Sequence, residues 1–242
     1  MIRIARADLS ELHVVIPLRG AGSGKSRLGF ALDAEERQEL VLGMLWHTLQ
    51  AISEWPAARR THIVTGDHDT ARLVRRARTE VNIVGESHVG GLNAALRAAR
   101  DAAAVEGATA VLFLPADLPL LSHAALDELI DAADAALAAG SGGPLVVAAA
   151  ADARGGTNAL LLSPSDVIEP HFGEASLEAH LRAAAAADAS LQVVVNPALG
   201  FDLDTLDDLE RLDTERVVLL EALGQALLSG QLDEVAAAAE AG

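Results

Sequence analysis

Apolar residues in this chain fall into short continuous runs, separated by longer stretches in which apolar positions recur at helical spacing. His13–Leu18, Thr61–Thr65, Val81–Val84, Val111–Leu114, Pro144–Ala150, Ala159–Leu162 and Leu191–Val195 have the length and content of strands. The most apolar of them, without an alternating polar face, suit a parallel sheet covered on both sides by helices. The intervening pattern predicts helices over Asp33–Ser53, Asp67–Arg78, the stretch from Leu92, Ala124–Ala139, Leu177–Ala187 and Val217–Leu228. Asp33, Glu35 and Glu36 supply the acidic first turn that the positive end of a helix dipole favours. Strands alternating with helices predict the α/β class.

The run Val111–Leu114 ends on Pro115-Ala116-Asp117-Leu118-Pro119. Neither proline has an N–H for a ladder, so the strand must stop there and leave Asp117 at its carboxyl end. Open α/β sheets bind their ligands at such ends. Asp117 could instead cap the next helix, but Ser122 is better placed to do so, which leaves the carboxylate free.

Composition narrows the chemistry. At 242 residues the chain can bury one large α/β core. It has no cysteine, which rules out disulfides and thiolate zinc sites and fits a reducing cytosol. No stretch reaches membrane-spanning length and residues 1–12 hold no continuous apolar run, so a cytoplasmic protein is expected. A formal charge of -17 opposes nucleic acid and anionic membrane, and an aromatic content of 2% leaves few platforms for stacking bases. A phosphorylated substrate is therefore expected to arrive with a divalent cation.

Three loops carry candidate chemistry. Arg19-Gly20-Ala21-Gly22-Ser23-Gly24-Lys25-Ser26-Arg27 follows the first strand, where backbone N–H groups can wrap a phosphate before a helix begins. A P-loop would need glycine at position 19, so that motif fails by one residue. Lys25 is the one lysine beside seventeen arginines. Gly90-Gly91-Leu92-Asn93 opens a helix and is either a plain turn or a second nucleotide contact. Gly155-Gly156-Thr157-Asn158 reads as a loop that can offer donors to an anion, or as an ordinary hairpin turn. Ser176, after Phe172-Gly173, reads by default as a helix N-cap. Thr205 with Asp208 resembles a capping arrangement, which leaves Asp202 and Asp204 ahead of it on one side of an extended piece. With Asp117 they can converge on one hard cation. His47 and Trp46 read as packing residues, and the end of the chain as packing, a homodimer contact or a fraying tail over 234–242.

Taken in order, Lys25-Ser26-Arg27-Leu28, Glu35-Glu36-Arg37, Gly91-Leu92-Asn93, Leu114-Pro115-Ala116-Asp117-Leu118-Pro119, Gly155-Gly156-Thr157-Asn158, Phe172-Gly173 with Ser176 and His180, and Asp202-Leu203-Asp204-Thr205 with Asp208 resemble the 2-phospho-L-lactate or phosphoenolpyruvate guanylyltransferases of coenzyme F-420 biosynthesis. The likeness spans about residues 13–210. It departs in the first loop, where the family has fewer glycines and a second basic residue. The resemblance implies a three-layer, mostly parallel Rossmann-like fold of the nucleotide-diphospho-sugar transferase type. It also implies transfer of GMP from GTP to a small phosphorylated acid, with release of diphosphate.

On this likeness Lys25 and Asp117 are catalytic, and Gly20, Gly22, Gly24, Lys25, Arg27, Gly91 and Asn93 bind the nucleotide. Thr157, Asn158, Gly173 and Ser176 hold the acid, and Asp117, Asp202 and Asp204 hold Mg2+. Residues 1–212 form the transferase domain and 213–242 a helical, acidic and alanine-rich tail. A related nucleotidyltransferase acting on a sugar phosphate or molybdopterin, and a non-catalytic nucleotide-binding module, are the alternatives.

Overall fold

A computed structural model describes residues 6–18, 25–77, 80–85, 90–140, 142–152 and 155–231. The positions Gly20, Gly22 and Gly24 and the stretch 234–242 lie outside the described residues.

The apolar runs become β1 (Leu12–Pro17), β2 (Ala58–Thr65), β3 (Val81–Gly85), β4 (Ala110–Phe113), β5 (Leu145–Ala150), β6 (Thr157–Ser163) and β7 (Ser190–Val194). They form one sheet in the order β3-β2-β1-β4-β6-β5-β7. All neighbours pair in parallel except β6, which is antiparallel to both β4 and β5. Because β6 runs backwards, its first residues lie at the carboxyl end of β4, where Phe113 pairs with Leu160. That single reversal brings the start of one strand to the edge where the parallel strands finish.

The helices are α1 (Ala34–Ser53), α2 (His68–Ala77), α3 (Gly91–Val105), α4 (His123–Ala139), α5 (Ser176–Ala186), the short α6 (Pro197–Gly200), α7 (Leu206–Arg211) and α8 (Thr214–Ser229). Two apolar layers sandwich the sheet, one under α1, α4 and α8 and the other under α3 and α5. This is the three-layer, mostly parallel arrangement expected from the sequence. Among the described residues no helix is long and apolar enough to cross a membrane.

Local chemistry explains the boundaries. Asp33 caps α1 by accepting from the N–H groups of Glu35 and Glu36, while Glu36 accepts from the Asp33 N–H. Such a capping box is worth about 1 kcal/mol. Ser122 caps α4, as its position predicts, so Asp117 is not spent on that helix. Thr205 and Asp208 cap α7 reciprocally. Trp46 packs in the core, and His47 Nε2–H donates to the Leu121 carbonyl, tying α1 to the segment after Asp117.

Three local expectations need correction. Thr157 and Asn158 are not loop residues but the first two of β6, because the hairpin with β5 keeps pairing to Thr157. Ser176 is not the cap of α5. Ala175 takes that place at φ 51 and Ser176 is the first helical residue. After the glycine-rich stretch the described residues form only a short 3-10 turn over Ser26–Leu28, and the full helix begins later, at Ala34.

Helix α8 lies across α1 at a distance that only glycine permits. A methyl group on Gly43 would sit 1.7 Å from the Leu220 carbonyl oxygen, and one on Gly224 would sit 1.9 Å from that of Glu39. Leu220, Leu223, Ala226 and Leu227 of α8 join the main core.

Candidate active site

A cavity of about 600 Å³ opens where β1, β2 and β4 end. That volume is in the range of small-molecule sites. Pro17 and Leu18 line it from the end of β1, Val64 from β2, and Val41 and Met44 from α1. Gly91, Leu92 and Ala95 of α3, the Pro115–Asp117 segment, Asp204 and Lys25–Arg27 complete it. The first turn of α3 has N–H groups without helical partners, so the cavity meets the positive end of a helix. Gly90, at φ 112, makes the turn that starts this helix, a backbone region in which side chains are strained.

Lys25 is the centre of charge. Its Nζ lies 2.5 Å from Asp117 Oδ2 and 2.5 Å from Asp204 Oδ1. Burial alone would depress the ammonium, but the charges of Asp117 and Asp204 and their hydrogen bonds outweigh it, so Lys25 titrates above its ordinary value. Its backbone is left-handed, φ 53, at a cost of about 1 kcal/mol for a residue with a Cβ. Arg27 lies on the same cavity wall and is exposed.

Asp202 stands behind this pair. Burial, then the neighbouring charges of Asp117 and Asp204, push its carboxyl above the usual range. Three carboxylates therefore share one locality with one ammonium. The local sum is negative, and the carboxylates of Asp117 and Asp204 line the cavity as hard oxygen donors. Among the described residues no three such side chains already stand in joint metal-binding geometry. A magnesium ion commonly takes only one or two carboxylates and completes its shell with phosphate and water, so the donor set fits.

On the other side of β4, three of the four expected acid-binding residues, Thr157, Asn158 and Ser176, are buried and bonded within the protein, while Gly173 is exposed. Asn158 Nδ2 donates to the carbonyls of Leu199 and Gly200, both at 2.9 Å, and approaches Asp202 Oδ1 at 3.5 Å. The Thr157 N–H donates to Ser176 Oγ at 2.8 Å, so that hydroxyl is engaged within the protein. Thr157 Oγ1 lies 3.0 Å from His180 Nδ1. Gly173 adopts φ 131 with open space around it. Asn93, expected at the nucleotide, spends both ends of its amide on Phe172.

Residues 12–214 match the family model described as guanylyl transferase CofC like. The chain belongs to this family. A phosphoenolpyruvate guanylyltransferase of Rubrobacter xylanophilus is 39% identical over 206 residues, 84% of this chain and 93% of the relative. One of Sphaerobacter thermophilus is 36% identical over 200 residues, covering 82% and 90%. Among solved structures, a nucleotide-diphospho-sugar transferase candidate from Desulfovibrio desulfuricans G20 superposes with TM-score 0.67 at 18% identity, covering 92% of this chain and 98% of that one. A nucleotidyl transferase from Methanothermobacter thermautotrophicus gives 0.58 at 19%, covering 86% and 98%. At those identities the likeness is one of fold.

Within this guanylyltransferase family chain, Lys25, Arg27, Gly91, Asp117 and Asp204 meet at one cavity, with Asp202 close by, although they lie up to 179 positions apart in sequence. Sequence reasoning missed the apolar wall of Val41, Met44 and Val64. Their signal, helical or strand periodicity, is the same for a residue facing the core and one facing a ligand. It also missed the bonds of Asn93 to Phe172, which join segments 79 positions apart and leave no local pattern.

Proposed function

We propose that this chain transfers the GMP moiety of GTP to a small phosphorylated carboxylic acid, releasing diphosphate, in the cytoplasmic synthesis of coenzyme F-420. Phosphoenolpyruvate is the acceptor favoured by the names of its relatives. The observation that carries this reading is Lys25 held between Asp117 and Asp204 in a cavity at the carboxyl edge of the sheet.

The acceptor's phosphate oxygen is already ionised, so it needs no general base. It bonds to the α-phosphorus of GTP as the bond from that phosphorus to the bridging oxygen breaks, and diphosphate leaves. The protein's work is therefore placement and charge neutralisation. The Lys25 ammonium supplies positive charge beside the triphosphate. Arg27 and the first turn of α3 add further donors to the cavity. Magnesium is the proposed cofactor, with Asp117 and Asp202 as its holders and Asp204 beside them; when bound, it offsets the triphosphate charge.

The test is diphosphate release from GTP and magnesium with phosphoenolpyruvate, 2-phospho-L-lactate or 3-phosphoglycerate. A guanylylated product with phosphoenolpyruvate is expected. Turnover with a sugar phosphate and none of the three acids would overturn the reading.

A further inference from the structure

The segment leading to Gly173 has no regular secondary structure, yet its peptide groups are held from two sides. Asn93 Nδ2–H donates to the Phe172 carbonyl at 2.9 Å, and the Phe172 N–H donates to Asn93 Oδ1 at 2.8 Å. The side-chain amide thus pairs with the N–H and the C=O of one residue, as a neighbouring strand would. On the far side the His171 N–H donates to His180 Nε2 at 2.9 Å. An accepting Nε2 puts the ring proton on Nδ1, and the hydroxyl oxygen of Thr157 receives it. The Phe172 ring lies edge-on to Phe113 of β4, at 6.0 Å between centroids, and to His180 at 5.2 Å.

We propose that Asn93 is a positioning residue for the acceptor, not a nucleotide contact: it pins Phe172, and through it Gly173, to the helix that opens the nucleotide cavity. The inference rests on the proposed transfer to a small acid and on the place beside that acid which the family resemblance implies for Gly173. A small acid with one phosphate and one carboxylate offers no apolar surface, so its binding depends on donors held in place. Gly173 has open space around it and positive φ, so its own chain does little to fix it. The clamp on Phe172 supplies the missing rigidity. Asn93 stands two residues after Gly91, so one turn of α3 serves the nucleotide at its start and the acceptor segment through this amide.

The experiment combines steady-state kinetics with amide hydrogen exchange in Asn93→Ala and Asn93→Asp. The aspartate keeps an oxygen for the Phe172 N–H but sets a second oxygen against the Phe172 carbonyl. For Asn93→Ala the KM for the acid is expected to rise about tenfold, with the GTP KM within about twofold. The Phe172 amide is expected to exchange at least about tenfold faster, with amides of the central strands unchanged. Asn93→Asp should fall between wild type and Asn93→Ala in both readouts. A rise in GTP KM with an unchanged acceptor KM would overturn the proposal, and so would unaltered exchange at Phe172. Should the wild type use none of the acids, the proposed function fails instead, and the exchange rate still decides whether Asn93 holds the segment.

Discussion

On the parallel side of the sheet, β1, β2 and β4 run out into open space, and the charged groups there, Lys25, Arg27, Asp117 and Asp204, line a cavity. On the hairpin side, Thr157, Asn158, Ser176 and His180 are all at least nine-tenths buried and bond to the protein itself. Topology makes the difference. Parallel strands joined by crossover helices finish together, and the helices that leave them diverge to form a crevice. The antiparallel β6 enters the same edge from the opposite direction, with its first residues under α5 and α6, so its polar groups must find partners inside. One half presents its charges to a cavity, while the other is a scaffold whose polar groups are already satisfied.

The largest effect is expected at the open half. Asp117→Asn preserves shape and removes one charge from the cavity. Turnover should fall at least about a hundredfold, the scale of lost electrostatic or metal stabilisation. Near-wild-type diphosphate release at saturating magnesium would remove Asp117 from the machinery.

Acid should break the scaffold half. Burial, then His171, pulls His180 from 6.5 to about 4. His13, His47 and His62 are likewise lowered, chiefly by burial. His13 and His62 stack in the core with Arg60, Glu106 and Glu11 as the charges around them. An unfolded chain takes up these protons near 6.5 and the folded chain does not. Stability is thus full above that value and is lost as pH falls from about 6.5 to about 4. His180 alone accounts for roughly 3 kcal/mol. Asp202, whose carboxyl is raised, opposes part of the loss. Urea unfolding at pH 7 and pH 4.5 should show the drop, and His180→Gln should flatten it. Equal stability at both values would contradict a neutral His180.

Much of this was legible in the chain. Asp117 could be placed because two prolines end a buried strand on it, and α1, α4 and α7 because their caps are local. The paired glycines before Thr157 and Asn158 look like a loop, and only the partner strand decides where pairing resumes. Ser176 looks like a cap from its neighbours. It serves instead as an acceptor for Thr157, nineteen positions away. Asn93 falls in the first turn of a helix, as its pattern predicts, but its amide bonds to a segment no nearby residue announces. Elements and strand ends follow from local pattern, whereas the polar network of the scaffold half is set by tertiary contact.

On the proposed function Lys25 serves the triphosphate and is not a structural tie between two acids. Calorimetric titration of wild type and Lys25→Ala with GTP and magnesium tests it most directly. The account predicts a Kd about tenfold weaker in Lys25→Ala, the worth of one charge-assisted hydrogen bond. It also predicts a melting temperature of the free protein close to wild type, because Asp117 and Asp204 are about one-third exposed and water can take over their solvation. An unchanged Kd with a large loss of melting temperature would contradict it.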